Sequence, residues 1–276
     1  MFWNQLLDFV RGLLGLGATI GPLAGVHSWA VFYGANAPIQ ALRAPDLLVL
    51  EPDQPWRVAD FRRPGQIVVA YLSLGEVNES RPYFATLAHD SGALLGKNPN
   101  WPGAVTVDPR SAAWRALVLD RLAPEILAKG YDGFFLDTLD VGADLERHGQ
   151  TGTRAAMASF VNALKARYPQ AILVANGGLE LLPDAAPALS GLAVESVLTN
   201  YDFANRRYLR RSPEAIQTRV AQLQGVRRDY RLPIFTLEYV DPADSAARAA
   251  IAEQVRDAGL VPFVSDIGLT MLVPAP

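Results

Sequence analysis

Six carboxylates close, or nearly close, apolar runs in this 276-residue chain. Glu51, Glu76, Asp137 and Asp266 stand at the ends of their runs, and Glu195 and Glu238 lie within two residues of the end. Burying several acids near one another is electrostatically costly and raises some of their pKa values. Structure alone gains little from such a pattern. A reaction that needs one ionised and one protonated carboxyl does gain from it, and glycosidic hydrolysis is such a reaction. Asp137 and Glu195 stand out, because Asp137 ends the fourth run and Glu195 lies near the end of the sixth. Alternation along a strand puts Phe135 and Asp137 on one face, and Ala193, Glu195 and Val197 on another. Small Ala193 leaves room beneath Glu195. Asp137 and Asp140 also have a spacing that could hold magnesium. No phosphate cradle accompanies them, however, and the three histidines, His27, His89 and His148, are dispersed. Neither a metal nor an organic cofactor is expected.

The polar and aromatic residues around these acids suit a sugar. Tyr33, Tyr71, Trp101, Tyr201 and Tyr239 offer aromatic faces at or near predicted barrel-mouth positions, where they can pack on the C–H patches of sugar rings. Asn176 ends the fifth run and can hydrogen-bond a ring hydroxyl. Glu76, Asp140, Glu238 and Asp266 can hold a sugar, including a cationic amino sugar, through charge-assisted hydrogen bonds. A mouth lined with carboxylates attracts a cationic polymer. Other residues have plainer readings. Glu51 is expected to pair with an arginine, Asp108 before Pro109 to cap a helix, and Asp132 before Gly133 to serve a turn. Trp114 and Phe160 fall inside helical stretches and are assigned to the core. Lys97, Lys129 and Lys165 are the only lysines and fall in a loop or helices, which argues against Schiff-base chemistry.

Eight short apolar runs could position these groups: Val26–Tyr33, Leu47–Glu51, Ile67–Glu76, Gly133–Asp137, Ala171–Asn176, Leu192–Val197, Ile234–Tyr239 and Val261–Asp266. Each reads as a buried parallel strand. Helical stretches lie between them, among them Ala112–Lys129, Arg154–Arg167, Pro213–Arg228 and Ser245–Ala258. Asp108-Pro109 and Ser212-Pro213 read as helix openings, and Gly130 and Gly259 as closings. Eight β/α units predict a (β/α)8 TIM barrel in a single domain over residues 26–276, with active residues at the C-terminal strand ends. The third connection, about Val77 to Arg110, is unusually long. It contains Tyr83, Phe84 and Trp101 and is expected to shape a cleft.

Composition narrows the partners. The net charge is -3 and half the residues are apolar. The one basic cluster, Arg206, Arg207, Arg210 and Arg211, reads as solvated helix-edge charge, so no nucleic-acid partner is expected. The chain has no cysteine, which excludes disulfides and thiolate sites. Residues 12–25 form an apolar, glycine-rich run after Arg11, too short for a membrane span. Residues 1–25 read as an export segment or, alternatively, a capping helix. A secreted or periplasmic monomer is expected.

Several segments carry a family resemblance: "DLLVLEPD", "VAYLSLGE", "VTVDPRSAAWR", "GYDGFFLDTLD", "VANGGLELLP", "LAVESV" and "GLVPFVSD". Together they resemble the endo-α-1,4-polygalactosaminidases of glycoside hydrolase families 114 and 166, and most closely the hydrolase domains that process the Pel type of biofilm exopolysaccharide. The likeness runs from Ser28 to Asp266. It implies a (β/α)8 barrel that cuts α-1,4-linked galactosamine and N-acetylgalactosamine polymers internally. It also implies that the catalytic pair corresponds to Asp137 in "FFLD" and Glu195 in "AVES". Asp137 would serve as nucleophile and Glu195 as acid/base, with retention of configuration. The chain departs from the family after Glu195, in "VESVLTNYDF", and at Glu238. A non-catalytic polysaccharide-binding barrel and a metal-dependent lyase or aldolase barrel are the alternatives.

Overall fold

A computed structural model describes residues 19, 21–88 and 92–272. Most of the expected export segment, residues 1–18 and 20, and His89 lie outside the described residues. Eight parallel strands carry the fold: β1 (Trp29–Phe32), β2 (Leu47–Leu50), β3 (Ile67–Ser73), β4 (Gly133–Asp137), β5 (Ile172–Asn176), β6 (Gly191–Glu195), β7 (Ile234–Tyr239) and β8 (Val261–Ser265). They follow one another through one sheet in chain order, with helices on most of the connections. This is the topology of a (β/α)8 barrel. The apolar runs become strands because they are buried on both faces: β1, β2 and β7 have no exposed or half-exposed residue. No helix among the described residues is long and apolar enough to cross a membrane.

Contacts group the chain into two units, Val49–Leu189 and Met1–Leu48 with Ser190–Pro276. In the first, β3 pairs in parallel with β4, placing Ser73 opposite Asp137, and β4 pairs with β5. Its core includes Phe134, Phe135, Trp114 and Phe160, the last two on helices as expected. In the second, β7 pairs in parallel with both β6 and β8, with Leu237 opposite Glu195.

The long third connection corrects the reading of the third run. β3 stops at Ser73, and Glu76 begins a separate strand, Glu76–Asn78. That strand joins Ala104–Val107 and Leu94–Lys97 in an antiparallel side sheet, so Lys97 lies in a strand. The turn between β3 and the side sheet needs Gly75, where a Cβ would lie 2.4 Å from the Thr138 carbonyl oxygen. Asp108 does not cap the next helix. Ser111 does, accepting from Trp114 N at 3.1 Å, while Asp108 grips Arg110. Asp132 likewise exceeds a turn role, since it pairs with Arg62 at 2.7 Å and accepts from Val68 N.

In the other unit the basic cluster lies on a hairpin instead of a helix edge. Thr199–Asp202 pairs antiparallel with Arg207–Arg210. The helix Pro213–Tyr230 opens as expected, with the Ser212 hydroxyl accepting from Ala215 N. The Asp244 side chain caps the helix Ser245–Asp257, accepting from Ala247 N at 2.8 Å. Gly130 and Gly259 take positive φ after their helices, which is why glycine stands at both closings.

Candidate active site

Asp137 and Glu195 are each the last residue of a strand, and each is partly exposed. The residue after each one is left-handed: Thr138 at φ 59° and Ser196 at φ 56°. Gly177, after Asn176, is left-handed too, at φ 68°. A β-branched residue such as Thr138 rarely adopts this conformation and persists there only when its surroundings hold it. Here the Thr138 hydroxyl is hydrogen-bonded to the Ser73 hydroxyl and to its own neighbour's Asp137 carbonyl, and accepts from Gly75 N, at 2.7–2.8 Å. Ser196 is held by its N–H on Leu237 O at 2.8 Å and by Arg211, which donates to its carbonyl at 2.7 Å. The chain therefore leaves the strand sharply at each acid.

Around Asp137, Asn176 Nδ2 donates to Oδ1 at 2.9 Å, and the Tyr71 hydroxyl is hydrogen-bonded to the carboxylate. Burial, and then the Asp137 charge, hold the Tyr71 phenol well above its ordinary range. Glu76 and Asp140 share this neighbourhood. Burial raises the Glu76 carboxyl, a hydrogen bond from Asn98 at 2.9 Å pulls it down, and the charges of Asp137 and Asp140 push it up again. Asp140 is raised by burial first and by Asp137 next. A cluster of acids that repel one another is poised to accept a cation. Among the described residues, no three acids or histidines are set to hold a metal ion. Glu51 is the structural acid the sequence suggested: Arg81 grips both its oxygens at 2.9 Å and also pairs with Asp53. Tyr83 packs against Trp114 at 6.4 Å, and Trp101 lies in the turn between the Leu94–Lys97 and Ala104–Val107 strands, 47% exposed.

Around Glu195, the Tyr239 hydroxyl donates to Oε2 at 2.5 Å, and Arg219 donates to the Glu195 carbonyl at 3.1 Å. Tyr239 is buried, so it serves this carboxylate and does not offer an open face. Glu238 corrects the sequence reading most sharply. It is 0% exposed and does not line a sugar site. Its carboxylate accepts from the amides of Val197, Leu198 and Thr199 and from the Thr199 hydroxyl, at 2.7–3.2 Å. Asp266 is committed to a turn, accepting from Thr270 N, Met271 N and the Thr270 hydroxyl. Tyr201 stacks edge-on with Tyr208 and Phe203 at 5.0 and 5.1 Å on the hairpin. Tyr33 follows β1, tied through its N–H to Leu269 O.

Sequence reasoning missed that Tyr71 and Asn176 bind Asp137, and that Tyr239 binds Glu195. For Tyr71 a signal was present: Tyr71 and Ser73 share a face of β3, and Ser73 sits opposite Asp137.

Carboxylates at the C-terminal strand ends of a (β/α)8 topology lie where enzymes of this fold class build their active sites. The chain belongs to glycoside-hydrolase family GH114, whose family model matches residues 18–275, and it is a glycoside hydrolase. An uncharacterised protein of Deinococcus radiodurans is 30% identical over 275 residues, covering 91% of this chain and 84% of that one. The glycoside hydrolase domain of PelA from Pseudomonas aeruginosa is 31% identical and superposes with a TM-score of 0.81, covering 90% of this chain and 98% of that domain. Aspergillus fumigatus Ega3, solved in complex with galactosamine, shares the fold at 20% identity and a TM-score of 0.67, covering 88% of this chain and 93% of that one.

Proposed function

We propose that this enzyme cuts α-1,4-linked galactosamine and N-acetylgalactosamine polymers internally, with retention, using Asp137 as nucleophile and Glu195 as acid/base. The observation that carries the reading is the shared setting of the two acids. Both end parallel strands, both keep some exposure, both are braced by a hydrogen bond, and both precede a left-handed residue. The Glu76–Asp137–Asp140 cluster supports an amino sugar: burial first and neighbouring charge next raise Glu76 and Asp140, and an ammonium group relieves the repulsion between the acids. Ega3's complex with galactosamine agrees with this substrate class.

In the first step Glu195 gives its proton to the glycosidic oxygen as the C1–O bond breaks, and an Asp137 oxygen bonds C1. In the second, Glu195 takes a proton from water, the water oxygen bonds C1, and the Asp137–C1 ester breaks. Asn176 and Tyr71 hold the nucleophile's orientation through both steps.

The test is a reducing-end assay on a de-N-acetylated α-1,4-galactosamine polymer. Asp137→Asn retains the fold and is expected to lose about 10³-fold or more of turnover. Substantial residual activity sinks the nucleophile assignment. Retention is checked by NMR of the first anomer released; an inverted product overturns that part.

A further inference from the structure

We infer that Tyr239 is a positioning residue for Glu195, and that the buried Glu238–Thr199 pair holds Tyr239 in place. The inference rests on the acid/base role proposed for Glu195. Glu195 ends β6, and Tyr239 ends β7. The phenol reaches Oε2 at 2.5 Å. A phenol can donate or accept, so it can follow a carboxyl group through both protonation states. Anchoring one oxygen fixes the plane of the carboxyl group, and with it the line along which the proton leaves.

The tyrosine is itself fixed. Its backbone N–H donates to the Thr199 hydroxyl at 2.9 Å, and that hydroxyl donates to Glu238 Oε2 at 2.7 Å. The same carboxylate accepts the amides of Val197, Leu198 and Thr199, the residues that leave β6 just after Glu195. Residues 195–199 and 238–239 therefore form a closed circuit of hydrogen bonds. Inside it lies a fully buried carboxylate that the chemistry never touches. The three residues after the left-handed Ser196 are thereby tied to the strand that carries Tyr239. The circuit holds both the acid and its brace.

Tyr239→Phe removes one oxygen and leaves the ring in place. On the polymer, kcat should fall about 10–100-fold with KM nearly unchanged, a part of the usual acid/base contribution. On an oligosaccharide with a dinitrophenyl leaving group, which departs without a proton, the loss in the glycosylation step should nearly vanish. A merely structural role would lower both rates alike. In a Glu195→Gln background, Tyr239→Phe should cost nothing further, since the two residues act as one unit. If Glu195→Gln keeps wild-type activity, the acid/base assignment fails and takes this inference with it. If Glu195→Gln is inactive but Tyr239→Phe is either fully active or equally impaired on both substrates, the inference alone is overturned.

Discussion

Replacing Glu238 by Gln should damage the protein although the two side chains have the same shape. The described contacts to both carboxylate oxygens are all donors. No acceptor stands ready for an acid proton, so the bonds favour the ionised form even as burial pushes the group above its ordinary range. An amide must put NH2 where one oxygen stood. Placed at Oε2, it strands the Thr199 amide and hydroxyl. Placed at Oε1, it strands only Val197 N, because Leu198 N also reaches Oε2 at 3.0 Å. The second placement is the cheaper. One stranded buried donor costs about 1–3 kcal/mol, and the remaining bonds lose their charge assistance, offset in part by easier desolvation of the neutral amide. The net loss is about 2–4 kcal/mol. For a domain of this size it should lower the thermal midpoint by roughly 3–7 °C. Urea unfolding followed by circular dichroism measures it, alongside Glu238→Ala as the full deletion. A Gln variant within about 0.5 kcal/mol of wild type would refute the reasoning, because Gln would then satisfy the three amides as well as the carboxylate does.

Two further outcomes follow from the other unit. Gly75→Ala sets a methyl 2.4 Å from Thr138 O and 2.7 Å from Val141 Cβ. It should cost about 1–3 kcal/mol and also lower turnover by displacing the residue after Asp137; urea melts and a reducing-end assay that both match wild type would count against the close approach. Glu76 is raised in the fold, so the stability it confers is full below the ordinary glutamate pKa and is lost as pH rises through the raised value. Glu76→Gln keeps the Asn98 bond without the charge, so its stability should fall less than wild type's between pH 4 and 7. Parallel pH profiles would contradict this.

The barrel was legible because its strands are apolar on both faces and end abruptly, a signal carried locally by each run. For the same reason Asp137 and Glu195 could be picked out, being polar residues at the boundary of buried ladders. Glu238 looked identical in sequence and belongs elsewhere. Its donors come from 197–199, about 40 positions away, and no local pattern announces them. Glu76 was misassigned because "YLSLGE" reads as one run, whereas the Gly75 turn divides it and antiparallel partners at 104–106 claim its end. The arginine hairpin was hidden similarly: only pairing across the Asp202–Arg207 turn distinguishes it from a helix edge.

The left-handed residues at 138 and 196 turn the chain off each strand immediately after its acid. Each acid is seated by the regular ladder before it, and the backbone departs from that ladder within a single residue. After Glu195 the Glu238 hydrogen bonds end at Thr199, so length and composition can change in the hairpin beyond it with little displacement passed back to the carboxylate. Such a junction lets the surface beyond the hairpin be refitted while the strand that seats the acid stays as it is.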